Sequence, residues 1–285
     1  MISFRRILFP VDFSERCLQT APYVAWIARR FGSQITLLHA MDKPPDPPRF
    51  RTELPRLYED LVKINQSELA AFAPGVFDGV AVTRIIDIGE VAEVITRYAK
   101  RNEADLIVIP THGLGTFRWL LLGSVTAKVL NDSLCPVWTT VHSEKVHPID
   151  GEIGSIICGV DIYSDPARVI EAASGMAAIY GGIVRLVHVI GAPEASSQGA
   201  IHAELKSFLF KTAREEVDKC QKQAGTSWEV CVQGGTVASV LRDEATRCQA
   251  DLVVIGRGHL QDRFGRFRTH VGAIIRESPC SVLSV

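Results

Sequence analysis

The chain has 285 residues, 47% of them hydrophobic, and at roughly 100–200 residues per domain it is long enough for two domains with sizeable cores. Its 31 basic and 32 acidic residues leave a net charge of −1, which excludes the electrostatic footprint of a duplex nucleic-acid binder or a protein of anionic membranes. The first apolar run ends at Asp12, too short for a signal-peptide core, and no run approaches the ~20 apolar residues of a membrane span, so a soluble, cytoplasmic protein is expected.

In chain order, the first half opens on a strand over residues 7–11, followed by a helix that Ser14 caps and that runs to Phe31 before Gly32. A second strand is expected over 35–39. The run Lys43-Pro44-Pro45-Asp46-Pro47-Pro48 suits neither helix nor central strand and reads as a connecting loop. Residues 55–72 follow as a helix, with Leu57, Leu61 and Ile64 at helical spacing, and residues 80–86 as a strand. A helix from Glu90 carries Val91, Val94, Ile95 and Tyr98 on one face. Strands over 106–109 and 137–141 flank a short helix near Ser124. The strands are rich in Val, Ile and Leu with little alternation, as strands covered on both faces are.

The second half repeats this order. Ile7-Leu8-Phe9-Pro10-Val11-Asp12 echoes Ile156-Ile157-Cys158-Gly159-Val160-Asp161, and Leu37-Leu38-His39-Ala40 echoes Leu186-Val187-His188-Val189. Ala104-Asp105-Leu106-Ile107-Val108-Ile109 echoes Ala250-Asp251-Leu252-Val253-Val254-Ile255, and Leu134-Cys135-Pro136-Val137 echoes Pro279-Cys280-Ser281-Val282. Four echoes in register mark a duplication, with domains expected over 1–145 and 152–285 and a polar linker near 143–151. Strand–helix alternation implies a parallel sheet with right-handed crossovers and helices on both faces. The segment 191–199 reads as a loop, and Asp165-Pro166 as an N-cap with proline at the first helical position.

The seven cysteines, Cys17, Cys135, Cys158, Cys220, Cys231, Cys248 and Cys280, form no C-x-x-C pair. They indicate neither a zinc ribbon nor a dithiol redox centre, and most are expected to be reduced core fillers.

Open parallel sheets bind ligands at the carboxyl ends of their strands, where the strand order switches. Asp12 ends the first strand, His39-Ala40 the second, and Thr111-His112-Gly113 follows the fourth. Nine residues separate Gly113 from Gly123, and Ser124 then opens a helix. Free N–H groups and the dipole at a helix start attract phosphate, and glycine permits close backbone approach. His39 and His188 read as hydrogen-bonded strand-end histidines rather than metal ligands. No carboxylate or histidine pair at ligand spacing supports a metal site. The P-loop G-x-x-x-x-G-K-[ST] and the G-x-S-x-G elbow are both missing, and Asp12 lacks the acidic neighbours of a phospho-receiver.

In these motifs the chain resembles the universal stress proteins. It has Ile7-Leu8-Phe9-Pro10-Val11-Asp12-Phe13-Ser14, Leu37-Leu38-His39-Ala40, Gly113 followed after nine residues by Gly123-Ser124-Val125, and Cys135-Pro136-Val137, all in the family's order. The resemblance implies two tandem Rossmann-like α/β domains of the adenine nucleotide alpha hydrolase-like type. Each would hold a five-stranded parallel sheet in the order 3-2-1-4-5. It also implies a stress-response role, with an ATP site in the first half that acts by binding rather than catalysis. Mg would accompany the ATP. By position, Asp12 and Ala40 would line the base and ribose, Gly113, Gly123, Ser124 and Val125 would surround the phosphates with His112 beside them, and Pro10 and Ile109 would belong to the same nucleotide-binding set. One departure is Pro110, in place of the loop's first glycine, which removes an N–H and fixes φ. It keeps open a second reading, an interaction module of the same fold without nucleotide.

The second half retains Asp161 and Gly256, but Gly258-His259 replaces the expected His-Gly and Arg268-Thr269 replaces Gly-Ser. This half reads as degenerate for ATP. Arg257, Arg263, Arg266 and Arg268 make a basic loop that suits either an anion or, the commoner meaning, plain solvation. The family also implies intramolecular pairing of the two domains through their last strands, since sheet edges need covering. Homodimerisation of the whole chain and unnamed protein partners are compatible with the sequence, while no nucleic acid and no membrane are expected as partners.

Overall fold

The structure, a computed structural model, describes residues 2–42, 54–111, 122–140, 152–191, 200–257 and 270–285, with no side-chain description for 54–55 and 200–203. The chain divides into two compact units, Ser3–Ile149 and Asp150–Val285 with Met1–Ile2.

The first unit runs β1 (Arg6–Pro10), α1 (Glu15–Phe31), β2 (Gln34–Met41), α2 (Leu54–Ala70), β3 (Val82–Ile88), α3 (Val91–Arg101), β4 (Leu106–Pro110), α4 (Ser124–Asp132) and β5 (Val137–Thr140). All pairings are parallel, in the order β3-β2-β1-β4-β5. Chain direction between strands therefore reverses beside β1, which lies between β2 and β4. The central strands are apolar on both faces: Ile7, Leu8 and Phe9 of β1 and all of β4 are buried. A side chain of this size contributes about 1.5–3 kcal/mol on full burial.

Local chemistry sets the helix ends where the sequence placed them. Ser14 accepts from Cys17 N at the start of α1, and Gly32 closes it in the left-handed conformation at φ 62°. Glu90 caps α3 by accepting from Ala92 N and Glu93 N. The third strand starts two residues later than expected, because Val80 is taken into a turn by its N–H bond to Phe77 O. β2 continues to Met41, so His39 and Ala40 lie inside the strand rather than at its end.

The apolar stripe on α2 is a larger departure. Leu57, Leu61 and Ile64 are 59%, 41% and 54% exposed. Burial begins only at the helix's far end, with Leu69 and then Phe72, where Arg84 Nε of β3 donates to Leu69 O.

The second unit contains β6 (Ser155–Gly159), α5 (Pro166–Tyr180), β7 (Ile183–Ile190), α6 (Ala200–Gln223), β8 (Glu229–Gly234), α7 (Val237–Arg247), β9 (Leu252–Ile255), α8 (Val271–Glu277) and β10 (Ser281–Ser284). Its parallel order is β10-β9-β6-β7-β8, the same arrangement by element. Asp165 caps α5 by accepting from Arg168 N, with Pro166 at the first helical position.

The duplication extends to single hydrogen bonds. Asp105 Oδ2 accepts from Arg5 N and Arg6 N as the chain enters β1, and Asp251 Oδ2 accepts from Gly154 N and Ser155 N as it enters β6. Ser133 Oγ donates to Cys135 O, and Ser278 Oγ to Cys280 O. Gly89 and Gly235 stand at φ 149° and 151° before α3 and α7, where a Cβ would meet Val94 or Val240 at 3.1 or 3.0 Å. Only glycine fits both conditions.

All seven cysteines are free thiols. Only Cys17, Cys158 and Cys280 are core fillers; the other four are half-buried, so the expectation of mostly buried thiols fails. Burial pushes the Cys17 and Cys280 thiols up to about 12, out of reach of thiolate chemistry near neutral pH.

Candidate functional site

The carboxyl edge of the first unit gathers the residues picked out by sequence, as far as they are described. Pro10 is the buried last residue of β1, and its carbonyl accepts from Cys17 Sγ at 3.7 Å. Asp12 follows. Its Oδ1 accepts from Ser14 N at 3.0 Å and from Ser14 Oγ at 2.6 Å, so one carboxylate oxygen holds the residue that caps α1. Between them Phe13 adopts φ 59°, a conformation that non-glycine residues rarely take. Packing holds it there: its ring lies 4.4 Å from the His39 ring and 6.3 Å from that of Phe72.

His39 Nδ1–H donates to Val11 O at 2.8 Å, tying β2 to the end of β1. His188 makes the matching bond to Val160 O at 2.8 Å. Both histidines are hydrogen-bonded as the sequence implied, and the bond fixes their tautomer. Ala40 is half-buried in β2 opposite Asp87, and Ile109 is buried in β4 opposite Thr139.

Pro110 is the last residue of β4 and pairs with Thr140 of β5. At a strand end its missing N–H leaves the ladder intact. Its carbonyl accepts from Thr126 Oγ1 at 3.0 Å, which pins the first turn of α4 to the end of β4. Gly123 N donates to Thr111 O at 2.9 Å from the same turn. Gly123 has φ −55°, so its backbone needs no glycine; small size is the property left to it. No side chain caps α4 among the described residues, and Ser124 is exposed while Val125 is half-buried. His112 and Gly113 lie outside the described residues, as do the 43–48 loop, the linker, Gly258-His259, Arg263, Arg266 and Arg268-Thr269.

Sequence reasoning missed Thr126, Phe13 and the double role of Asp12. The D-x-S spacing of an Asx turn was the available signal for the last of these.

The second unit differs at the same edge. Asp161 makes the same turn by accepting from Tyr163 N at 3.0 Å, but it is 6% exposed, whereas Asp12 is half-buried. A Cβ on Gly256 would come within 2.9 Å of Val169 Cγ2, so a close helix approach requires that glycine. Arg257 N is bonded to Val285 O. Among the described residues no group of three or more His, Cys, Asp or Glu side chains is placed to hold a metal, and no helix is long and apolar enough to cross a membrane.

Two doubly wound parallel α/β units in tandem, each with an Asp turn at the end of its first strand, define the class. The chain belongs to the universal stress protein family, whose model matches residues 3–140 and again 152–285. A universal stress protein of Synechocystis is 33% identical over 137 residues, 48% of this chain and 85% of that one. A universal stress protein structure from Archaeoglobus fulgidus superposes with a TM-score of 0.64 at 19% identity, covering 100% of this chain and 97% of that one. A functionally unknown protein from Pseudomonas aeruginosa gives a TM-score of 0.66 at 17% identity, covering 99% and 92%. At these identities the two structures show likeness of fold alone.

Proposed function

We propose that the first unit binds an adenine nucleotide of the ATP type and that the protein acts in a stress response through this binding rather than through catalysis. The observation that carries the reading is the helix start at Gly123–Val125. It is pinned to the end of β4 by Thr126, lacks a side-chain cap among the described residues, and lies on the same sheet edge as Asp12, beside the strand-order switch at β1. Mg would enter with the phosphates, since no described cluster of protein ligands suits it. The two units would cover each other's final strands, as edge strands require.

Isothermal titration of the intact chain with ATP tests the reading. Gly123→Leu should abolish binding by blocking backbone approach. Ser124→Ala should weaken it about 10- to 150-fold, the worth of one hydrogen bond to a charged group. Asp161→Ala should leave it within twofold. If Asp161 matters and Gly123 does not, the site is in the other unit. If the unaltered protein binds no ATP at millimolar concentration, the second reading stands: Pro110, with no N–H to offer, marks an interaction module without nucleotide.

A further inference from the structure

Arg16 is not part of any motif that placed the site. It lies in the first turn of α1, is only half-buried as a residue, and yet has its Nη1 shut off from solvent with no hydrogen-bond partner among the described residues. A buried polar atom left unpaired costs folding free energy, and more when it carries charge. Such an atom is retained most readily where something outside the chain completes it.

The register of α1 shows where the side chain is anchored. Residues four and seven further on lie on the same helix face. Thr20 Oγ1 is 3.2 Å from Thr140 Oγ1 at the end of β5, and the Tyr23 ring lies 5.8 Å from Trp138 in the same strand. Helix and strand therefore run in opposite directions along this contact. Arg16, one turn above Thr20, is carried past the carboxyl ends of β4 and β5. The start of α4 is held to that same end of β4 by Thr126 Oγ1 and by the bond from Gly123 N to Thr111 O. Two features that favour an anion, a helix start without a side-chain cap and a buried guanidinium nitrogen without a partner, thus belong to two different helices at the carboxyl ends of the neighbouring strands β4 and β5.

The second unit has no counterpart. Counted back sixteen residues from the left-handed glycine caps Gly32 and Gly181, Arg16 corresponds to Asp165, a carboxylate that caps α5 itself. The sign of the charge is reversed.

We propose that Arg16 binds the phosphate chain of the nucleotide in the first unit and so makes that unit selective for phosphorylated ligands. This rests on the nucleotide reading above. The test titrates the intact chain and its Arg16→Met and Arg16→Lys variants with ATP and with adenosine, and compares thermal midpoints without ligand. Met keeps the apolar stem and removes the charge.

Arg16→Met should lower ATP affinity about 10- to 150-fold. It should leave adenosine affinity within twofold and the thermal midpoint at or above that of the unaltered protein. Arg16→Lys should recover part of the ATP affinity. Unchanged ATP binding in Arg16→Met overturns the proposal while the nucleotide reading survives. Equal losses for ATP and adenosine, or a thermal midpoint several degrees lower, assign Arg16 a structural role and also overturn it. If the unaltered protein binds neither ligand, the nucleotide reading and the proposal fall together.

Discussion

At the residue scale, a buried carboxylate is kept ionised by the arginines around it. In the second unit, Glu244 has a side chain only 5% exposed, held by Arg247 Nη2 at 2.5 Å, Gln233 Nε2 at 2.7 Å and Arg185 Nη1 at 3.8 Å. The Arg247 hydrogen bond, opposed in part by burial, holds its carboxyl below the ordinary glutamate value of 4.5. A carboxylate lowered in the folded state stabilises fully above its unfolded pKa, and that contribution disappears as pH falls through the folded value. The stability gap between the unaltered protein and Glu244→Gln should therefore be constant from neutral pH down to about 5.5. It should shrink below 4.5 as both forms come to hold a neutral side chain. Urea unfolding across this range measures it, and a gap that widens on acidification would show that Glu244 is not the ionised partner. The same scale separates Asp12 from Asp161: identical in sequence role and turn geometry, they differ in access.

At the element scale, α2 tests whether periodicity alone fixes a buried face. Its spacing marks Leu57, Leu61 and Ile64 as a stripe, yet these are exposed, while Leu69 is buried and its carbonyl accepts from Arg84 of β3. Leu57→Ser, Leu61→Ser and Ile64→Ser should each change stability by no more than about 0.5 kcal/mol, as surface substitutions do. Leu69→Ala, at 2% exposure, should cost about 2–5 kcal/mol. Chemical denaturation of the four variants decides it, and a large loss at Leu57 would mean that this face is covered in solution. The capped ends, by contrast, follow local rules. Ser14, Glu90 and Asp165 accept from N–H groups of their own first turns, so no distant partner is needed for them to act.

At the scale of the whole molecule, each unit has its own buried central strands, β1 and β4 in one and β6 and β9 in the other, and each sheet taken alone ends at β5 or β10. Residues 1–145 and 152–285 expressed separately should each give cooperative unfolding. If the final strands cover one another as proposed, a mixture of the two should sediment as a one-to-one complex. Two species sedimenting independently at concentrations of tens of micromolar would reject the pairing and leave the linker as the connection between them.

The sequence by itself determined the duplication, the alternation of strand and helix, the parallel class of sheet and the capped helix ends. These depend on spacing and on contacts within a turn, which a linear pattern records. It also marked Pro10, Asp12, Ala40, Ile109 and Gly123–Val125 as residues of one sheet edge, because parallel strands bring all their carboxyl ends to the same side. Tertiary structure decided the rest. Leu57, Leu61 and Ile64 have the period of a buried face, but a period cannot say whether anything packs against it. The seven cysteines are chemically alike, and only the fold separates three buried thiols from four half-buried ones. Phe13 stands at φ 59° because His39 and Phe72, distant in sequence, hold its ring. Nothing in the sequence around Arg16 marks its unpaired buried nitrogen, which is a property of surroundings set by where α1 lies along β5.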